Sequence, residues 1–150
     1  MRLGDYFTDG SVRLALRGAT PDAVLAELVG LLHLDDDDAA ELLRVLQRRE
    51  SLGSTGVGHG IAIPHSRSLA IGRLRLAYGR RPEGVEYDAL DGQPVYHFFL
   101  IVAPPSQGGA EYLPVLGQIA RFVKEPGVPE RLAGLTRPED FLALLDQKGV

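Results

Sequence analysis

Residues 95–102 read VYHFFLIV. An unbroken apolar run of this length, rich in aromatic and β-branched residues, predicts a central strand covered on both faces rather than an amphipathic edge. A strand of that kind needs neighbours on each side and a layer above and below it. Just upstream, Arg73–Gly79 (RLRLAYG) alternates, with Leu74, Leu76 and Tyr78 on one face, and reads as a second strand. Between the two, the segment RPEG (Arg81–Gly84) and the pair Asp91-Gly92 carry turn chemistry.

Helices flank these strands at both ends of the chain. Val12–Leu16 (VRLAL), followed by Gly18, reads as a first strand. Thr20 and Pro21 then supply an N-cap and a first helical residue. Ala23, Val24, Leu28, Leu31 and Leu32 recur at helical spacing, predicting a helix to about His33. A second helix begins in the Asp35–Asp38 run and buries Ala39, Leu42, Leu43 and Leu46. Its acids at the start and Arg44, Arg48 and Arg49 toward the end complement the helix macrodipole. Ile61–Ile63 is a short strand stopped by Pro64, and three further helices are predicted at Ala110–Lys124, Pro129–Gly134 and Pro138–Gln147, with Glu125-Pro126-Gly127 as a helix stop. Strands mixed with helices in this order predict an α/β fold, a three-layer α/β/α sandwich with a mixed central sheet. At 150 residues, the expectation is a single domain over residues 1–150.

Composition narrows the function classes. The chain has no cysteine, which excludes disulfides, thiolate catalysis and Cys-based metal sites. Net charge is −4, and Arg and Lys are scattered or sit at helix ends, so no basic stripe points to nucleic acid. The N-terminus MRLGDYFTDG lacks the apolar core of a signal peptide, and no apolar run reaches membrane-spanning length. A soluble cytoplasmic protein without membrane insertion is expected. The four histidines show no zinc spacing.

The chemistry concentrates in Leu46–Ser68, LQRRESLGSTGVGHGIAIPHSRS. Gly53, Gly56, Gly58 and Gly60 lie close together, a pattern that lets backbone N–H groups approach an anion. Ser54 and Thr55 add hydroxyls, and Arg49, where the chain leaves the helix, adds a guanidinium fork. The loop lacks the Lys-Ser/Thr ending of a P-loop and does not fit GxGxxG, so nucleotide binding is not indicated. Pro64 fixes its own φ and extends Ile63, so the imidazole of His65 leaves the strand end in a defined direction. A neutral imidazole is a nucleophile toward phosphorus. Taken by themselves, a glycine loop and a histidine after proline also suit a tight connection and a structural residue. His59 is open between a pocket residue and a solvated side chain, His33 closes a helix, and His97 reads as a satisfied core histidine.

The segment Arg48–His65, RRESLGSTGVGHGIAIPH, resembles the active-site region of enzyme IIA of the bacterial phosphoenolpyruvate-dependent phosphotransferase system, fructose/mannitol class, nearest the nitrogen-regulatory members. GIAIPH is its most specific part. The resemblance continues co-linearly through Tyr87–Val95 (YDALDGQPV), the strand ending in Pro104 and the helix after it. It implies the same α/β/α fold. It implies that His65 accepts phosphate at Nε2 from the phosphohistidine of HPr or its nitrogen-branch counterpart. The phosphate would pass to a cysteine or histidine of an enzyme IIB, or serve as a signal, with no cofactor and no metal. Arg49 would pair with the phosphoryl oxygens, while Ser54 and Thr55 line the pocket. Members of that family commonly carry a second histidine at the start of the helix after the central strand. Here that position is Tyr112, in EYLPVL (Glu111–Leu116). A tyrosine donates a hydrogen bond but carries no imidazolium charge. Two readings follow: a phosphoryl carrier, or a regulatory protein-binding module with weak or lost phosphotransfer, in which a phosphate on His65 acts as a charge. A third, lesser reading is an anion-binding domain that has lost transfer.

Overall fold

The computed structural model describes residues 2–8, 10–105 and 110–150. A mixed sheet runs through the centre in the order β1-β5-β6-β3-β2. Its strands are β1 (Val12–Arg13), β2 (Gly56–Gly58), β3 (Ile61–Ala62), β5 (Arg75–Val85) and β6 (Val95–Ala103). A further strand, β4 (His65–Arg67), also pairs with β6. β6 is the central strand the sequence predicts: β5 runs antiparallel on one side of it, and β3 and β4 run parallel on the other.

Side chains of β6 alternate between two cores, as the pleat requires. Phe99, Ile101 and Ala103 pack with residues of α3 (Tyr112–Phe122), α4 (Val128–Ala133) and α5 (Pro138–Gln147). Phe98, Leu100 and Val102 pack with α1 (Pro21–Gly30) and α2 (Asp36–Ser51). Leu74, Leu76 and Tyr78 share the α3 side, as their alternation predicts, while Ala77 faces the other. The result is the three-layer α/β/α arrangement.

Helix starts follow their local chemistry. The Thr20 side chain accepts from Ala23 N–H at 3.2 Å with Pro21 next in line, and Asp35 accepts from Asp38 N–H at 2.8 Å. α1 ends three residues before the predicted His33. Leu31 and Leu32 are still buried, which mimics helical spacing, but they lie in a turn. His33 lies beyond the helix in a left-handed conformation, φ +56°, so it does not close α1.

Three strand features differ from the sequence expectation. β1 is shorter than Val12–Leu16. The Arg81–Gly84 turn residues lie inside β5. The pairing steps from Arg80↔His97 to Val85↔Val95, so five positions on β5 pass two on β6 and the turn chemistry becomes a bulge. The glycine loop contains β2, which pairs antiparallel with β3 through the two-residue connection His59-Gly60. Both residues have positive φ, +58° and +77°, the requirement of a tight primed hairpin turn.

Candidate phosphoryl-transfer site

β3 and β4 lie end to end along the same side of β6: Ile61↔His97 and Ala62↔Phe98, then His65↔Ile101 and Arg67↔Ala103. Ile63 and Pro64 interrupt them and belong to neither strand, because a proline has no N–H for a ladder. His65 is therefore the first residue after a built-in break. Its partner Ile101 belongs to the α3-side core, so the half-buried imidazole faces α3.

Nδ1 of His65 lies 2.7 Å from the Ile63 carbonyl oxygen. A carbonyl only accepts, so Nδ1 carries the proton and donates it. Nε2 is left with its lone pair. The backbone two residues away thus selects the tautomer in which the outer nitrogen is nucleophilic.

Tyr112, the first residue of α3, is buried with its ring centroid 6.2 Å from that of His65. Arg67 lies two residues beyond His65 on β4 and therefore on the same face. Its guanidinium carbon sits 4.6 Å above the Tyr112 ring, and its Nη1 donates to the Pro104 carbonyl at 3.2 Å. Arg49, in the last turn of α2, donates from Nη1 to the Gly53 carbonyl at 2.7 Å. Burial raises the Tyr112 hydroxyl above its ordinary pKa, while Arg67 and Arg49 both pull it back. The phenol stays protonated at neutral pH, a donor with a guanidinium from α2 and another from β4 close by.

Ser54 and Thr55 have specific partners. The Ser54 hydroxyl donates to the Tyr87 carbonyl and accepts from Gly56 N–H. Thr55 is buried; its hydroxyl donates to a Glu50 carboxylate oxygen and its N–H to the other, at 3.0 Å for the N–H. Tyr87 donates to the same carboxylate at 3.0 Å. Burial, reinforced by the Glu50 charge, pushes the Tyr87 hydroxyl pKa upward. The anion around which this part of the loop is wrapped is thus the carboxylate of Glu50. That differs from an open cradle of glycine N–H groups, and the cause is the β2–β3 hairpin together with the acid at the end of α2. His59, exposed at the hairpin turn, donates its N–H to Asp91 at 3.0 Å. The N–H groups of Gln93 and His59 hold the Asp91 carboxyl below its usual range.

His97 lies away from this cluster, buried, with Nδ1 2.8 Å from the Tyr78 hydroxyl. Burial, with Arg80 adding to it, pushes its pKa down to about 4. It is a core histidine, as the sequence reading has it. Among the described residues no group of three His, Asp or Glu side chains is placed to hold a metal ion, and no helix is long and apolar enough to cross a membrane.

Sequence reasoning missed Arg67, Glu50 and Tyr87. Arg67 was within reach, since alternation along an extended HSR segment puts it beside His65. Glu50 and Tyr87 are 37 residues apart, and no local pattern joins them.

The α/β/α sandwich thus presents one tautomer-selected histidine beside a phenol, with the Arg67 guanidinium over that phenol and Arg49 at the end of α2. Comparison with known proteins gives the family. The family described as "Phosphoenolpyruvate-dependent sugar phosphotransferase system, EIIA 2" matches residues 5–148, and the chain belongs to that family. A nitrogen regulatory protein of Pseudomonas aeruginosa is 35% identical over 134 residues, covering 88% of this chain and 86% of that one. A fructose-specific EIIA component of Haloferax volcanii is 38% identical over 100 residues, covering 67% of this chain and 63% of its own length. The nitrogen regulatory protein IIA-Ntr from Neisseria meningitidis superposes with a TM-score of 0.85 at 30% identity, covering 95% and 97% of the two chains. The mannitol IIA in a complex with phosphorylated IIB from Escherichia coli has a TM-score of 0.75 at 20% identity, with 94% and 99% covered, and shares the fold.

Proposed function

We propose that this chain acts as one unit in phosphoryl transfer. His65 Nε2 accepts a phosphoryl group from the phosphohistidine of an HPr-like carrier, or its nitrogen-branch counterpart. The Nε2 lone pair forms the new N–P bond while the donor's N–P bond breaks, its electron pair returning to the donor imidazole. The observation that carries this reading is the Nδ1–H to Ile63 carbonyl bond at 2.7 Å, which keeps the ring proton on the inner nitrogen through the reaction. Positioning and charge stabilisation do most of the work in phosphoryl transfer. Arg49 and Tyr112 serve the phosphoryl oxygens directly. Ser54 and Thr55 serve them through the hairpin they hold. The phosphoryl group then passes to a cysteine or histidine of an enzyme IIB, the type of partner seen with the mannitol relative, or remains as a regulatory charge.

Tyr112 favours a second reading, a regulatory protein-binding module with weak transfer, since the family's usual second histidine is replaced by a neutral donor. The similarity to nitrogen regulatory proteins supports the same view. Either way the partner is a protein. Leu52, Leu69 and Leu113 are 79%, 90% and 66% exposed, each on the segment that carries Arg49, Arg67 or Tyr112, and exposed apolar side chains of this kind suit a docking face.

The test is incubation with phosphoenolpyruvate, enzyme I and HPr or its nitrogen-branch counterpart, followed by mass spectrometry for acid-labile phosphate. Label on His65, and none on a His65→Ala variant, is expected. No label on the wild type, or equal label on the variant, overturns the carrier reading.

A further inference from the structure

We propose that Arg67 is a phosphoryl-binding residue of this site, and that its guanidinium, laid on the Tyr112 ring, supplies the positive charge which tyrosine at that position cannot. The inference rests on His65 carrying phosphate, and it assigns the second cation of the site to a strand rather than to α3.

Three placements converge on it. His65 and Arg67 pair with Ile101 and Ala103 of β6, both part of the α3-side core, so their side chains rise on the same face. The Tyr112 ring stands next to both, 6.2 Å from the imidazole centroid and 4.6 Å from the guanidinium carbon. The guanidinium is also tied to the Pro104 carbonyl at the end of β6, so one end of the side chain is fixed by backbone and one face by an aromatic ring. Stacking on a ring and a backbone tie restrict a long side chain beforehand, which lowers the entropy lost when it grips an anion.

The chemistry matches the need. A phosphoryl group on Nε2 brings close to two negative charges into a half-buried site. A guanidinium offers five N–H donors in a planar fork suited to phosphoryl oxygens and keeps its charge throughout the physiological range. Arg49 comes from the last turn of α2, where it donates to the Gly53 carbonyl. Arg67 approaches from β4. The phenol is a neutral donor, and the two arginines carry the charge. On this view replacing the second histidine by Tyr112 gives Arg67 a ring to rest on and leaves the site cationic.

The experiment uses the full chain with Arg67→Met, which keeps an apolar stem on the Tyr112 ring, Arg67→Gln and Arg67→Lys. Transfer is timed with radiolabelled phosphoenolpyruvate, enzyme I and HPr at saturating HPr, and the phosphohistidine is observed by ³¹P NMR. Thermal midpoints identify any variant that has lost its fold. The expected result is a fall of about tenfold or more in the transfer rate for Met and Gln, a displaced ³¹P resonance, and partial recovery with Lys. Arg67→Gln with Tyr112→His should also recover transfer. Variants that keep the wild-type rate and resonance overturn the proposal while leaving the carrier reading intact. A slower rate with an unmoved resonance and no recovery by Lys or by Tyr112→His assigns Arg67 a merely structural role and overturns it too. A wild type that takes no label on His65 overturns both readings, so the two failures are told apart.

Discussion

His65 and His97 face the same side of one sheet and differ in what surrounds them. His65 is half-buried, with a carbonyl at Nδ1 that leaves the lone pair on Nε2. His97 is sealed in the core against Tyr78, and burial holds its pKa at about 4. The second case has a consequence for stability. An unfolded histidine titrates near 6.5. Above that pH both states are neutral at this residue and it contributes no pH dependence. As pH falls from 6.5 toward 4, the unfolded chain takes up the proton before the folded one does, so stability is lost across that window. By pH 4.5 the loss amounts to roughly 2.5 kcal/mol. His97→Gln should remove this component. Urea unfolding at pH 7.5 and 4.5 would show a smaller drop for the variant by about that amount, and equal drops would contradict it. The sequence marked His97 as a core residue but could not name Tyr78, which comes from the neighbouring strand. Its signal for His65 was stronger, since Pro64 acts on its immediate neighbours.

At the scale of elements, the hairpin β2–β3 turns a glycine-rich loop into a rigid support. Gly56 is where it meets the 87–91 segment: a Cβ there would lie 2.8 Å from the Ala89 Cβ and 2.9 Å from its Cα. Gly56 also donates its N–H to Ser54, and its carbonyl accepts from Leu90 N–H at 3.1 Å. Gly56→Ala must push the backbone of Ala89 away, at a cost of about 1–3 kcal/mol. We expect a thermal midpoint lower by roughly 3–10 °C and slower labelling of His65 in the fraction that stays folded. Calorimetry and the labelling assay check the two parts, and an unchanged midpoint would exclude the close contact. Helix starts were legible because capping acts within one turn: Thr20 with Ala23, Asp35 with Asp38. β2 and β4 were not, since each is three residues long and exists only by pairing with a neighbour. The same holds for Arg81–Gly84, whose turn chemistry serves as a bulge because β6 continues past it.

For the whole molecule, the three layers bring β4 and the start of α3 together where Arg67 lies over Tyr112, and Leu52, Leu69 and Leu113 are exposed on the segments that carry Arg49, Arg67 and Tyr112. If this is the face on which a protein donor docks, Leu69→Asp and Leu113→Asp should raise KM for phospho-HPr about tenfold each with kcat little changed and the fold intact. Steady-state transfer kinetics would show it, and a loss confined to kcat would place these residues elsewhere in the reaction. What the sequence alone determined is the central strand, the helix starts and their caps, the absence of thiol chemistry, and His65 beyond a proline. Each of these depends on neighbours within a few positions or on composition. Only the tertiary structure decided that the loop closes on Glu50, that Arg67 rests on Tyr112, and that the β4 strand exists at all. Those facts require chain segments tens of residues apart to meet, and the meeting is enforced by the buried sheet rather than by local preference.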